Sequence, residues 1–170
     1  MGVRRTHADD EEFTAFVHAT APRLFRSALL LTGDRQLAED LLQTTYARLF
    51  VAWRKVRRVG NPVGYAHTTL TRVFLSYRRL RSSSELPVDD VAEHPWRDHT
   101  THDLRLDLIA ALRLLTPSDR AILVLRYWED RSVAETATQL DITETAVRTR
   151  ARRALARLRP HLTSFQETRP

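Results

Sequence analysis

The chain contains no cysteine and only four glycines among its 170 residues. The missing thiols exclude disulfides, thiol catalysis and any cysteine-ligated zinc finger. No glycine-rich phosphate loop and no serine-nucleophile motif is present, which removes the commonest signatures of nucleotide-binding and hydrolytic enzymes. Lysine is nearly absent: Lys55 stands alone, and the other 26 of the 27 basic residues are arginine. The arginine fork suits bidentate contacts to phosphate and guanine, although so strong a bias also fits a GC-rich genome. No apolar run approaches the roughly 18 residues of a membrane span. The opening residues, Arg4 and Arg5 followed by Asp9 to Glu12, lack the apolar core of a signal peptide. The expected protein is soluble and cytoplasmic, with no membrane contact. What remains is a chain with 42% hydrophobic residues, enough for one or two cores, and a formal net charge of +6 that points to a polyanionic partner.

The most informative stretch runs from Ser132 to Leu155. Ser132 followed by Glu135 is a capping-box signature and starts a helix. Asp141 falls where the chain must turn, and aspartate tolerates left-handed backbone better than most residues. Thr143 can cap a second helix, expected to run to about Arg159 and stop at Pro160. Val147, Ala151, Ala154, Leu155 and Leu158 share one face of it, leaving Thr145, Arg148, Thr149, Arg152 and Arg153 outward. This is a helix-turn-helix with a basic recognition helix. Residues 145–160 carry six arginines and no acid, so the pattern points to DNA.

The rest of the chain reads as successive helices, giving an all-α fold of two small domains. A first helix starts around Asp9–Glu12, with Phe13, Phe16, Val17, Leu24 and Leu31 at helical spacing, and Gly33 placed to end it. A long second helix, about Arg35 to Val56, carries Leu41, Leu42, Leu49, Trp53 and Val56. After the break Arg57 to Gly60, Asn61 caps a third helix with Pro62 in its first turn, running to about Arg81 and burying Ala66, Leu70, Val73, Phe74 and Leu80. The first domain is therefore 13–81, preceded by a short extension, 1–12. Residues 82–102 are polar, carry Pro87 and Pro95 and lack periodicity, so they read as a linker; Glu85, Asp89, Asp90, Glu93 and Asp98 against Arg97 make it acidic. The second domain, 103–160, has four helices: one striped by Leu104, Leu108, Ile109, Leu112 and Leu115, one from Thr116-Pro117 to about Trp128, then the helix-turn-helix. Residues 161–170 form a frayed tail.

With these pieces in order, the sequence resembles the extracytoplasmic-function (ECF) sigma factors of bacterial RNA polymerase, and most closely the short actinobacterial SigE-type group. The likeness is carried by Leu31-Thr32-Gly33-Asp34, by Ala38-Glu39-Asp40-Leu41-Leu42-Gln43 and by Leu75-Ser76-Tyr77-Arg78-Arg79. It continues in Leu115-Thr116-Pro117 with Arg120, in Leu125 to Asp130, and in Ala146-Val147-Arg148 through Arg159. It spans about residues 13–160 in the family's order.

The resemblance implies a division of labour. The long helix of the first domain docks on a coiled coil of the polymerase's largest subunit through Asp40, Gln43 and Arg48, with Thr44 where the family usually has an acid; the flap of the core enzyme is a further partner. Melted −10 promoter DNA is held by Arg57, Arg58, Gly60 and Asn61 in the loop and by Tyr65, Arg72, Tyr77, Arg78, Arg79 and Arg81 on the third helix, through stacking, base pocketing and phosphate contacts. Tyr65 and Tyr77 fit core packing equally well, and Arg72 replaces the family's common asparagine. Duplex −35 DNA is read by Thr143, Thr145, Ala146, Arg148, Thr149, Arg152 and Arg153, with Arg148 and Thr149 reaching bases and Arg152 and Arg153 gripping phosphate. Asp141 and Thr143 stand where the family often has glycine and serine. The acidic linker would thread the polymerase's active-site and RNA-exit path. The implied protein is a monomer when free, nucleoid-associated within the holoenzyme, open to an anti-sigma partner, and not an enzyme: it has no cofactor and no metal.

Rival readings stay in view. His94, His99 and His102 with Asp98 and Asp103 are the only grouping with metal-ligand spacing, but they lie in the linker without supporting residues. A free-standing helix-turn-helix regulator explains the second domain but not the first. A degenerate sigma factor that docks on polymerase and reads no promoter would fit Thr44 and Arg72, but not the intact recognition helix.

Overall fold

The computed structural model describes residues 7–83 and 106–163. Among them every regular element is helical. They fall into two compact units, divided within a helix between Phe74 and Leu75. The acidic linker, most of the tail, Leu104 and the His94–Asp103 grouping lie outside the described residues.

In the first unit, α1 (His7–Thr32) and α2 (Arg35–Val51) pack against each other. The reversal between them is built by three adjacent residues. Gly33 takes a left-handed φ of 70° and its N–H returns to the Leu29 carbonyl at 2.8 Å, the geometry for which glycine is favoured at a helix C-terminus. Asp34 then caps α2 by accepting from the Leu37 N–H at 2.8 Å. The core between the helices is made by Leu24, Ala28, Leu31, Ala38, Leu41 and Leu49, all buried. A buried Thr20 hydroxyl meets the Tyr46 hydroxyl at 2.8 Å, and burial raises the Tyr46 pKa against the opposing effect of that hydrogen bond. Phe13 ties the start of α1 to the far end of α2, its ring centroid 5.2 Å from Phe50 and 5.1 Å from Trp53.

The single helix expected over 35–56 is interrupted. Ala52, at φ −94° and ψ 6°, separates α2 from the short α3 (Trp53–Val56). Its carbonyl accepts from both the Lys55 and Val56 N–H groups, at 2.9 and 3.0 Å, so the turn tightens without losing the apolar stripe, and Trp53 and Val56 remain buried. Asn61 accepts from the Gly64 N–H at 2.8 Å and so caps α4 (Pro62–Ser83). Ala66, Leu70, Val73 and Phe74 are buried as expected, but Leu80 is 68% exposed. The helix outruns the core that its first turns pack into, so the apolar spacing continues past its partners.

The second unit contains α5 (Leu106–Arg113), α6 (Pro117–Leu123), α7 (Val133–Leu140) and α8 (Glu144–Thr163), with α5, α6 and α7 all packed on α8. Thr116 caps α6 by accepting from the Asp119 N–H at 3.2 Å, with Pro117 in the first turn. Arg120 is buried and donates to the Arg113 and Leu115 carbonyls, both at 3.2 Å, satisfying the end of α5. The helix expected through Trp128 changes pitch: Val124–Trp128 forms a π-turn, closed by the Glu129 N–H on the Val124 carbonyl at 3.0 Å.

Two details of α8 depart from the sequence reading. Leu155 is 40% exposed, whereas Val147, Ala151, Ala154 and Leu158 are buried. On a 3.6-residue helix Leu155 lies about 80° round from Val147, at the edge of the stripe. Pro160 lies inside the helix, which continues to Thr163. Proline forfeits its own N–H and crowds the carbonyl four residues back, a cost borne here once, close to the helix end.

Candidate nucleic-acid interface

Three surfaces carry the residues singled out from the sequence. On α2, Asp40, Gln43, Thr44 and Arg48 are all exposed, and their spacing places them on one side of the helix. Asp40 accepts from the Gln36 amide at 3.3 Å. Carboxylate, amide, hydroxyl and guanidinium groups thus make this side of α2 a polar exposed face.

The second surface is the loop before α4 and the outward side of that helix. Arg58, Gly60 and Asn61 are exposed, but the Asn61 side-chain oxygen is already engaged in capping α4. Arg57 is engaged as well. Its Nη1 lies 2.8 Å from Asp9 and 2.7 Å from Glu12, both on α1. These carboxylates strengthen its hold on the proton and raise its pKa, the hydrogen bond it donates to Glu12 contributing most. Along α4, Tyr65 is half-buried and Arg72 and Arg79 are exposed, while Arg78 is half-buried. Tyr77 is 42% exposed, which separates it from the core. Its hydroxyl accepts from Arg81 at 3.0 Å, and the Arg81 guanidinium sits 5.6 Å from its ring centroid.

The third surface is the helix-turn-helix, α7 and α8. The capping box is complete: the Glu135 N–H donates to Ser132 Oγ at 3.1 Å and the Ser132 N–H to Glu135 Oε2 at 2.7 Å. Accepting from the Ser132 backbone holds the Glu135 carboxyl below its usual pKa. Asp141 takes φ 54° and ψ 49°, the left-handed turn between the helices, and the Ile142 N–H returns to the Ala137 carbonyl at 3.0 Å. Thr143 caps α8 by accepting from the Ala146 N–H at 3.1 Å. The first turns of α8 then display Thr145, Arg148, Arg152 and Arg153 to solvent, with Ala146 and Thr149 half-buried. Arg148 is held in place by Glu144 at 2.7 Å. The neighbouring Arg150 faces inward, 2.7 Å from Asp119 of α6, which fixes the recognition helix against its support.

The Arg150–Asp119 pair and the Arg54, Arg57, Asp9 and Glu12 group had no sequence signature: their partners lie 31, 45 or 48 residues apart. No group of three or more His, Cys, Asp or Glu able to hold a metal ion occurs among the described residues. No helix among them is long and apolar enough to cross a membrane.

Comparison with known proteins gives this geometry a context. The family described as Sigma-70 region 2 matches residues 16–84, and Sigma-70, region 4 matches residues 105–158. The RNA polymerase sigma-E factor of Streptomyces coelicolor is 35% identical over 152 residues, covering 89% of this chain and 86% of that protein. The ECF RNA polymerase sigma factor SigE of Mycolicibacterium smegmatis is 36% identical over 154 residues, 86% of this chain and 60% of that protein. Among solved structures, the sigma factor RpoE of Bartonella quintana, in complex with the anti-sigma factor NepR, aligns with a TM-score of 0.71 at 25% identity, covering 90% of this chain and 98% of that one.

Proposed function

Because this chain belongs to the extracytoplasmic-function sigma factors of the sigma-70 family, we propose that its three surfaces divide the tasks of promoter-specific initiation. As a sigma factor it binds RNA polymerase core and promoter DNA. The finer assignment is ours: residues 13–81 form the core-docking and −10 module, residues 103–160 the −35 module, and 82–102 the connection between them.

The observation that carries this reading is the recognition helix. A capped α7, a left-handed Asp141 and a capped α8 leave Thr145, Arg148, Arg152 and Arg153 outward at the helix start. The N-terminal residues of such a helix reach base edges in the major groove, and later ones meet phosphate. Arg148 and Thr149 are therefore assigned to bases, Arg152 and Arg153 to phosphate, with Thr143, Thr145 and Ala146 framing the contact. In the first module, Asp40, Gln43, Thr44 and Arg48 dock on the polymerase coiled coil. Arg58, Tyr65, Arg72, Tyr77, Arg78, Arg79 and Arg81 serve unpaired −10 DNA, where aromatic faces stack on bases and guanidinium groups meet phosphate.

The mechanism follows from where binding energy is realised. Anchoring the −35 duplex is the same whether or not the −10 segment is melted. Contacts to unstacked bases exist only in the melted state, so they shift the population toward the open complex. The protein supplies binding and the polymerase the chemistry, so it acts as an initiation factor and not as a catalyst. It works in the cytoplasm, as a monomer until it meets core enzyme. An anti-sigma partner, such as the one bound to the related RpoE, would compete for these same faces.

The test is multi-round transcription by purified core polymerase on a pool of promoter fragments from the source genome, with and without the protein. Discrete new transcripts that require it are expected. Sequence-specific DNA binding without polymerase, and no transcripts, would overturn the reading in favour of a free-standing regulator.

A further inference from the structure

The acidic start of α1 lies in the segment that sequence reasoning placed before the first domain, yet it reaches the loop that leads into α4. Asp9 is only 6% exposed at its side chain, unusual for a carboxylate near the beginning of a chain. One of its oxygens lies 3.2 Å from Arg54 Nε and the other 2.8 Å from Arg57 Nη1. Glu12, one turn further along α1 and half exposed, takes the same Arg57 nitrogen at 2.7 Å. Two carboxylates and two guanidinium groups thus form a locally neutral clamp between the first turns of α1 and the segment from α3 to α4.

The loop itself is short of other anchors. Among the described residues, the backbone from Arg57 to Val59 makes only local turn bonds, to Trp53, Lys55 and Val56 at 2.9 to 3.2 Å. At its far end Asn61 is fixed by capping α4. Between these ends Arg58 and Gly60 are exposed, and nothing lies within 4 Å of where a Gly60 side chain would begin. Beside the half-buried Val59, the Arg57 side chain is therefore the polar lateral tie of this loop to the body of the unit.

We propose that Asp9, assisted by Glu12, is a positioning residue for −10 recognition: it holds Arg57 as an anchor, not as a DNA contact, and thereby presets the loop that meets the melted strand. The proposal rests on the sigma-factor reading above and deepens it. Its physical logic is preorganisation. A loop held in its bound shape avoids an ordering cost on binding, and it also rejects bases that do not fit that shape. The clamp reassigns Arg57. A guanidinium whose Nη1 already faces two carboxylates has its charge largely offset before any phosphate arrives, and turning away from them would leave the buried Asp9 with a partner fewer.

The experiment uses holoenzyme and a fork-junction fragment of a promoter that the wild-type protein transcribes, alongside the same fragment with one −10 base changed. Asp9→Asn is expected to lower discrimination between the two fragments about tenfold, while binding to −35 duplex is unchanged. Because Asp9 acts through Arg57, the double variant Asp9→Asn/Arg57→Gln should discriminate no worse than either single variant. Unchanged discrimination in Asp9→Asn, equal losses on fork and −35 duplex, or additive losses in the double variant would overturn the clamp. Should Asp9→Asn fail to fold, Glu12→Gln decides, since it removes only the exposed half. A loss of roughly twofold to threefold then supports the clamp, and no loss overturns it. If the wild-type protein directs no transcription, the sigma-factor reading and the clamp both fall; wild-type transcription with unaltered discrimination in the variants removes the clamp alone.

Discussion

Replacing Arg148 with alanine isolates the step at which the recognition helix reads sequence. In the free protein the Arg148 fork rests on Glu144 at 2.7 Å, with both side chains largely exposed, 61% and 49%. An exposed pair at this helical spacing stabilises by no more than about 0.5 kcal/mol. A bidentate contact to a guanine is worth about 1–3 kcal/mol of discrimination. The exchange from Glu144 to base therefore remains favourable by roughly 0.5–2.5 kcal/mol. Two outcomes follow. Arg148→Ala should weaken promoters that carry the contacted base by about 2-fold to 70-fold and leave promoters lacking it nearly unchanged. Glu144→Gln should act in the opposite direction, improving binding by about twofold, because Arg148 no longer has to leave a partner. Holoenzyme affinity measured by filter binding or fluorescence anisotropy, on a −35 fragment and on single-base variants of it, reads both effects. Equal loss across all fragments for Arg148→Ala would show that the side chain meets backbone phosphate, and would refute the assignment.

Arg152→Ala should weaken every promoter by a similar factor and reduce the slope of log affinity against log salt by about 0.9, the signature of one phosphate contact; a salt titration of the same fragments checks it. Asp119→Asn should release Arg150 and loosen α6 from α8, costing about 1 kcal/mol and lowering the midpoint of the second unit by ~4–8 °C in thermal unfolding. Ser132→Ala removes the side-chain half of the capping box and should cost about 1 kcal/mol. The Glu135 half is pH-dependent. Its folded carboxyl pKa lies below the unfolded value, so its contribution is present above the ordinary carboxylate pKa and is lost as pH falls through the folded one. Denaturant melts of wild type and Glu135→Gln should therefore differ at pH 7 and converge in acid, once the pH has fallen below the lowered pKa of the folded carboxyl.

What could be read from the sequence, and what could not, divides by the distance between partners along the chain. The helix-turn-helix was legible because each of its devices closes within one turn: Ser132 with Glu135, the left-handed Asp141, Thr143 with Ala146. Gly33 was legible for the same reason. Apolar stripes were legible in phase but not in extent. Leu80 keeps the spacing of Leu70 and Val73, yet its exposure depends on where the opposing surface ends, and periodicity carries no information about that. Leu155 fails more narrowly, as a residue at the margin of a stripe already filled by Ala151 and Ala154. The π-turn at Val124–Trp128 and the interruption at Ala52 leave no composition signal.

The charged residues make the sharper case. An arginine in a loop has the same local signature whether its fork will meet a phosphate or a carboxylate. Arg57 and Arg58 are adjacent and chemically identical, yet Arg57 is bound to α1 while Arg58 stays exposed. Arg150 and Arg152, two positions apart on α8, divide in the same way between Asp119 and solvent. Net charge sums over all of them and cannot separate the two fates. The quantity that bears on DNA is the basic charge left after internal pairing. Arg58, Arg72, Arg79, Arg152 and Arg153 are exposed and make no ion pair among the described residues, so in the proposed reading they are the ones to carry the electrostatic attraction to phosphate. Arg57 and Arg150 instead hold in place the elements on which those residues are mounted. Removing one of the first set should change affinity with salt, and removing one of the second should change which sequence is preferred or how firmly the helix stands, a distinction the arginine count alone does not contain.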